Sequence, residues 1–366
     1  LIGVCGCMVQ QEHMVEKIKR SYPVVDLAFG PHDLWHFPEL LLKTMTGHKR
    51  VFATEHTDGY VAEGMPQKRD SGVKAWLSIM YGCNNFCTYC VVPYVRGRER
   101  SRRPEDIVAE ARELVEAGVK DITLLGQNVN SYGKDLGIGV DFADLIAMIN
   151  DIPGEFLIRF MTSHPKDATE KLFKTMAQCS KCAHQLHLPV QSGNDRVLKA
   201  MNRNYTAEKY LRQVELARSY MPDLVITTDI IVGFPGETDE EFEDTIKLCD
   251  TVRYDAMFTF IYSKRVGTPA ASMPDAATRE DKQRRFDRLL EAANRVSAEK
   301  HAEYIGKTVR VLVDGQTGKQ EYNLSSRTNG GRLVHLAGDE SLIGKFIDVK
   351  IVSGNTWALY GKVEEE

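Results

Sequence analysis

The chain has 366 residues, of which 43% are hydrophobic and 27% charged, with a formal net charge of −4. That balance fits a water-soluble globular protein of two or three domains and excludes a strongly cationic nucleic-acid binder, though not a local basic patch. No apolar stretch reaches the length of a membrane span, and no signal peptide precedes the first strand-like run. The eight cysteines are irregularly spaced, which suits a reducing compartment, so a cytoplasmic protein without a membrane partner is expected.

The missing initiator Met and the abrupt start at Leu1 suggest a chain that begins within a domain. Residues 1–60 read as β-α-β-α, with strands over 1–7 and 24–29 and helical spacing over 10–20 and 34–45. This is expected to be the C-terminal part of a small α/β domain, truncated upstream. Residues 61–73, with Gly64, Pro66, Asp70, Ser71 and Gly72, read as a linker.

From 74 to 278, strand-like runs alternate with helical ones. Strands are expected over 75–80, 121–125, 156–161, 185–190, 224–232 and 256–263. One helix is well marked: Pro104 starts it, Ile107, Val108, Ala111, Leu114 and Val115 share a face, and Gly118 stops it. Repeated βα units place this region in the α/β class as a partial (β/α)6 barrel, whose chemistry belongs at the C-terminal ends of the strands. Residues 279–304 read as one connecting amphipathic helix. Residues 305–366 change character, with short strands over 309–313, 321–325, 332–336, 346–352 and 357–363, a small five-stranded β-barrel.

The most specific chemical signal is Cys83, Cys87 and Cys90 in Tyr81-Gly82-Cys83-Asn84-Asn85-Phe86-Cys87-Thr88-Tyr89-Cys90. Three soft thiolates on one short loop suit an iron–sulfur cluster, and a structural zinc site wants four ligands. Three protein ligands on a four-iron cluster leave one iron open to a small molecule. The loop follows the first barrel strand. Polar motifs follow the others: Gly126–Gly133 with Gln127 and Asn128, then Thr162-Ser163-His164-Pro165, then 187–195 with Gln191 and Ser192. Strand five brings Thr228 and Asp229 and is followed by Gly233-Phe234-Pro235-Gly236-Glu237-Thr238. Each alone reads as an ordinary loop; together, in register with the cysteine loop, they can hold a ribose, an amine and a carboxylate.

The cysteine spacing, with Tyr89 at its aromatic position, resembles the radical S-adenosylmethionine (SAM) superfamily. The order and wording of the strand-end motifs resemble the methylthiotransferases within it, over nearly the whole chain, including a C-terminal TRAM barrel. The resemblance implies that Cys83, Cys87 and Cys90 hold a reducing [4Fe–4S] cluster. It also implies that Tyr89, Gln127, Asn128, Gln191, Ser192, Thr228 and Asp229 position SAM. Cys7, in Gly6-Cys7-Met8-Val9-Gln10, matches the third ligand of the family's auxiliary [4Fe–4S] cluster, whose other two ligands would lie upstream. One SAM would methylate a sulfur on that cluster. A second would yield a radical that removes hydrogen from adenine C2.

Gly126–Tyr132 and His187–Asp195 look like the MiaB branch, which modifies isopentenyladenosine beside the tRNA anticodon, at position 37. The RimO branch, acting on a ribosomal-protein aspartate, usually carries Asp and Thr where this chain has Asn128 and Asn130, and a third branch acting on threonylcarbamoyl-adenosine departs further. The implied partners are tRNA, a reductant such as flavodoxin or ferredoxin, and a sulfur or Fe–S donor, with the protein a monomer.

RNA phosphates could meet Arg96, Arg98 and Arg100 in the basic run after the cysteine loop. In the C-terminal barrel, Arg327, Arg332, Lys345 and Lys350 are the candidates, although eight Lys and Arg stand against nine Asp and Glu from residue 301 onward. Cys179, Cys182, His184 and His187 imitate a zinc site but are compressed, and they read better as partly buried groups before a strand. Cys249 reads as core. Two readings from other classes remain open at this point: a non-catalytic RNA-binding module with a structural cluster, and a zinc-dependent RNA-binding protein.

Overall fold

The computed structural model describes residues 1–47, 49–54, 63, 69 and 72–364, so most of the linker expected over 61–73 lies outside the described residues. The N-terminal unit is a three-stranded parallel sheet of β1 (Gly3–Cys5), β2 (Leu27–Phe29) and β3 (Val51–Ala53), with α1 (Glu12–Ser21) and α2 (Phe37–Gly47) as its crossovers. The sequence reading had no third strand here, because a three-residue strand carries no period of its own.

Six parallel strands follow: β4 (Lys74–Ser78), β7 (Asp121–Leu125), β8 (Leu157–Phe160), β9 (Gln185–His187), β10 (Val225–Val232) and β11 (Ala256–Ile261). They pair in sequence order, β4-β7-β8 and β9-β10-β11, and a single bridge from Ile158 to Cys182 joins the two halves. A short antiparallel pair, β5 (Met80–Tyr81) with β6 (Arg100–Ser101), closes the base of the cysteine loop. The helices are α3 (Val92–Arg96), α4 (Pro104–Glu116), α5 (Phe142–Asn150), α6 (Glu170–Gln178), α7 (Asp195–Ala200), α8 (Ala207–Tyr220) and α9 (Asp239–Val252).

Alternation along the strands gives the sheet two faces. Leu77, Ile122, Leu124, Ile158, Leu186, Ile226 and Ile230 are fully buried against Ile107, Ile146, Phe173 and Ile246 of the helices, which is the main core. The other face points inward. Cross-strand register puts Trp76, Thr123 and Arg159 on it, and likewise His187, Thr227, Asp229 and Phe258.

The long helix α10 (Arg279–Ala302) starts with a Thr278–Asp281 capping box and leads to a closed barrel. Its strands are β12 (Thr308–Gln316), β13 (Leu324–Thr328), β14 (Leu333–Leu336), β15 (Phe346–Gly354) and β16 (Leu359–Val363). The turn between β13 and β14 plugs the lower end of the six-stranded barrel. There Arg159, buried and paired with Asp121 at 2.8 Å, also donates to the backbone oxygens of Asn329 at 2.6 Å and Thr328 at 3.0 Å.

Arg332 corrects an expectation. It is not a surface cation for RNA: it is buried, ion-paired with Asp255 and stacked over the Tyr304 ring at 4.8 Å. Removing one partner of a buried pair strands the other charge. Arg332→Ala is therefore expected to lower stability by about 3–5 kcal/mol, measured by urea unfolding, where a surface arginine would cost under about 1 kcal/mol.

Candidate active site

The cysteine loop lies at the C-terminal end of the strands and is clamped from several sides. Gly82 has φ +76°, and a Cβ there would lie 1.9 Å from the Arg98 carbonyl oxygen, so only glycine lets the loop pass. Its amide donates to Gln127 Oε1 at 2.6 Å, and the Cys83 amide donates to the Gly97 carbonyl at 3.1 Å. Thr88 is tied to the end of α7, its amide to Met201 O at 3.0 Å and its hydroxyl to Ala200 O at 2.9 Å. Asn202 Nδ2 holds the carbonyls of Asn85 at 3.1 Å and Phe86 at 3.0 Å, and Lys166 Nζ donates to Asn85 Oδ1.

Cys83 and Cys87 are buried and Cys90 is partly so. Burial, then the nearby sulfurs of Cys87 and Cys83, push the Cys90 thiol up to about 11, and burial also raises Cys83. A thiol raised by burial becomes a thiolate most readily beside positive charge, which iron ions supply. The protein adds one cation itself. Arg203 is buried, and its Nη1 lies 3.5 Å from Cys87 Sγ; its other donors go to neutral groups, Pro189 O at 2.7 Å and Tyr205 Oη at 2.8 Å. Asn85 Nδ2 donates to Cys83 Sγ at 3.4 Å. The residues therefore fit a cluster with negatively charged sulfur ligands.

The surrounding strand ends fit a polar ligand. Asn128 Oδ1, Ser163 Oγ, His164 Nε2 and Gln191 Oε1 are buried side-chain atoms without a hydrogen-bond partner, and all lie just beyond β7, β8 and β9. Most buried polar atoms in proteins are paired, so four unpaired ones gathered at adjacent strand ends can take a ligand or ordered water. Strain collects here too. Of five non-glycine residues with positive φ among the described residues, Phe86, Thr162, Gln191 and Asn202 belong to this end of the barrel. Such strain costs about 1–3 kcal/mol per residue and marks functional sites.

The expected SAM-positioning residues divide. Gln191 and Asp229 face the site, with Asp229 Oδ1 3.5 Å from His187 Nε2, and Gln127 supports the cysteine loop. Asn128 splits its amide, Nδ2 to Asp167 at 2.9 Å and Oδ1 free. Tyr89 packs in an apolar cluster with Val197, Met201 and Phe234. Ser192 and Thr228 are corrected: both are fully buried, with hydroxyls spent inside the fold. Ser192 faces Thr245, and Thr228 takes the Val190 amide at 2.9 Å while donating to Leu188 O at 3.1 Å.

The sequence places Ser163 and His164 in one of the strand-end motifs that together can hold a ligand but assigns neither a role of its own, and it gives no sign of Arg203. An unpaired buried atom or an arginine facing sulfur is a tertiary fact, with no local pattern to reveal it. The run Thr162-Ser163-His164-Pro165 after a strand was the one available signal.

Cys7 is half-buried, and its Sγ accepts from Arg96 Nε at 3.1 Å, so it faces the helix that follows the cysteine loop. Arg96 is thereby turned inward. Arg100 donates to Arg96 O at 3.1 Å, and neither is a free surface cation, whereas Arg98 is exposed over the Phe86 ring. Lys345 and Lys350 are exposed, and Arg327 is half-exposed beside Asp314 at 3.3 Å. The zinc-like group comes apart: Cys179 and Cys182 are core residues, His184 binds Asp223 at 2.7 Å, and His187 binds Thr227 at 2.9 Å. Among the described residues no three or more His, Cys, Asp or Glu converge as a single-ion site.

The radical SAM superfamily model matches residues 77–249 and the TRAM domain model residues 302–363. Curated relatives named tRNA-2-methylthio-N(6)-dimethylallyladenosine synthase share 52% identity with it in Thermoanaerobacter sp. (strain X514), covering 100% of this chain and 78% of that protein. The Acetivibrio thermocellus protein of that name is 52% identical over 99% of this chain and 76% of its own, and one from Clostridium perfringens 50% identical over 100% and 82%. The chain belongs to this family of synthases. Among solved structures, coproporphyrinogen III oxidase from Escherichia coli, described as a radical SAM enzyme, is similar at a TM-score of 0.47 and 14% identity, over 76% of this chain and 67% of that one.

His164 supplies a pH test. Burial, then the charges of Arg203, Lys166 and Lys134, hold its imidazole down to about 2, against the usual 6.5. The unfolded chain takes up this proton as pH falls below 6.5 and the folded chain does not. Stability is therefore complete above 6.5 and is expected to fall by about 1.4 kcal/mol per pH unit below it from this group. In urea unfolding between pH 7 and 5, His164→Gln should show a shallower slope than the parent; equal slopes would contradict the assignment.

Proposed function

We propose that the protein is a radical SAM methylthiotransferase that converts N6-dimethylallyladenosine beside the tRNA anticodon to its 2-methylthio derivative. The carrying observation is 52% identity, along the whole chain, to synthases named for that product. Those names favour tRNA over a ribosomal-protein aspartate. No helix among the described residues is long and apolar enough to cross a membrane.

In this reading Cys83, Cys87 and Cys90 hold a [4Fe–4S] cluster, supported by their burial and by the Arg203 contact to Cys87. When bound, the cluster and SAM supply one-electron chemistry, which an inert aromatic C–H requires and acid–base groups cannot provide. The chain's own residues do the rest. Arg203 keeps a fixed positive charge against a sulfur ligand. Gln191, Ser163, His164 and Asn128 offer unpaired polar atoms to the ribose, amine and carboxylate of SAM. Asp229 adds an acceptor beside His187. The helices cover the outer face of the strands, and the C-terminal barrel closes the lower end of the inner one. Because that face lies inside a barrel, the target base must be splayed from its stack to reach it.

Cys7 is the ligand this chain offers to an auxiliary cluster serving as the sulfur source, and its Sγ faces the Arg96 Nε donor at 3.1 Å. The same proposal includes division into an N-terminal unit to residue 60, a radical SAM barrel over 74–278, a connecting helix over 279–304 and a TRAM barrel beyond. It further includes a cytoplasmic monomer, a flavodoxin- or ferredoxin-type reductant, and RNA contacts through Arg98, Lys345 and Lys350.

The test uses the full-length parent protein, reconstituted anaerobically with iron and sulfide, reduced, and given SAM and tRNA bearing dimethylallyladenosine. Mass spectrometry of the digested nucleosides is expected to show the 2-methylthio product with the parent and none with Cys87→Ala. SAM cleavage without any change in the tRNA would mean that the substrate is wrong.

A further inference from the structure

The inner face of the six-stranded barrel is unevenly used. Its lower end is filled by the Arg159 network and the β13–β14 turn. Its centre is polar, with His187, Thr227 and Asp229. Its last strand is neither. The inward residues of β11 are Ala256, Phe258 and Phe260, with no polar side chain among them, and the two phenylalanines are 47% and 52% exposed. Trp76, inward on the opposite edge strand, is 65% exposed. A closed barrel would bury all three. Here they lie on the two edge strands, β4 and β11, and large apolar side chains left exposed in this way point to a binding surface.

The two phenylalanine rings also line a groove of about 550 Å³ between β11, α10 and the C-terminal barrel, whose other walls include Thr227, Asn294, Arg327 and Trp357. That volume lies within the range of small-ligand sites. The apolar wall sits one strand from the polar centre, since Phe258 is level with Asp229 and its ring lies 5.8 Å from that of His187.

We infer that Phe258 and Phe260 form the wall that receives the dimethylallyl group of the substrate base, with Trp76 facing them across the opening. The inference rests on the tRNA methylthiotransferase reading. Ribose, phosphate and the base edges all carry hydrogen-bonding atoms, and β11 offers them no polar side chain on this face. The five-carbon branched alkenyl group is the one wholly apolar part of that substrate, and burying it here removes both it and the phenyl rings from water. The polar centre is then left for the base, within reach of the strand ends.

The test compares two synthetic anticodon stem-loops, identical except that one carries dimethylallyladenosine and the other adenosine. Affinity is measured by fluorescence anisotropy with the reconstituted protein and its Phe258→Ala and Phe260→Ala variants, and methylthio product is followed in parallel. The parent is expected to bind the prenylated RNA at least about tenfold more tightly, the scale a hydrophobic pocket delivers for an apolar group. In each alanine variant the ratio of the two affinities should fall toward one, and Phe260→Leu, which keeps an apolar side chain, should restore part of it. Variants that keep the parent's ratio, or that weaken both RNAs in proportion, would overturn the inference, the second result meaning that the rings stack on the base. If the parent makes no methylthio product from the prenylated RNA, the functional reading fails and takes the inference with it.

Discussion

Arg203 is buried, and its three hydrogen-bond contacts are a sulfur, a carbonyl and a phenol. A guanidinium without a counter-charge is costly inside a protein, and negatively charged sulfur is what can balance it here. Burial works against its charge, and the one facing group that can carry a negative charge is the Cys87 sulfur, 3.5 Å away. The arginine and the thiols thus need each other, and the cation in turn needs the strand ends that hold it. The Pro189 carbonyl that accepts from it and the strained Gln191 belong to one short segment after β9. Loop, cation and ligand-facing atoms are therefore one mechanical unit rather than separate sites.

The second constraint is that the barrel is open. Six parallel strands do not close, so their inner face must be finished by something else. The C-terminal barrel finishes the lower end, through backbone carbonyls on Arg159 and the Arg332–Asp255 pair. The cysteine loop finishes the upper end. What stays open is the side, between the edge strands β4 and β11, where large aromatic side chains face solvent.

Much of this was legible in the sequence, for physical reasons. Barrel strands buried on one face by helices and lined on the other read as apolar runs, so all six were found, with ends displaced by a few residues. The fourth ends at His187, not at 190, because the chain turns there to place Pro189 O on Arg203 and Val190 O on Tyr205. The second strand of the small barrel begins at Leu324 rather than 321, since Tyr322 and Asn323 are spent on a turn with Thr317. The cysteine trio was legible because spacing alone limits what three thiols can hold. Polar residue type, by contrast, does not say which way a side chain points. Ser192 and Thr228 have the right chemistry for a ligand and use it to join strands and helices, while Ser163 and His164, in a strand-end motif but with no role of their own in the sequence reading, hold unpaired atoms at the site. Arg332 was misjudged for the same reason: charge on a strand of a small domain looks like a surface patch until its partner, Asp255, is brought in from 77 residues away.

The central claim is that the three thiols and the unpaired strand-end atoms form one cradle, in which a three-ligand cluster meets SAM. Electron paramagnetic resonance of the reconstituted, reduced protein tests it most directly, with spectra taken before and after SAM is added. The account requires a [4Fe–4S] signal assigned to Cys83, Cys87 and Cys90 that changes on adding SAM, with the change weakened in Gln191→Ala and Arg203→Met. A signal at that cluster indifferent to SAM, or one that persists when the three cysteines are replaced together in protein also lacking Cys7, would contradict it.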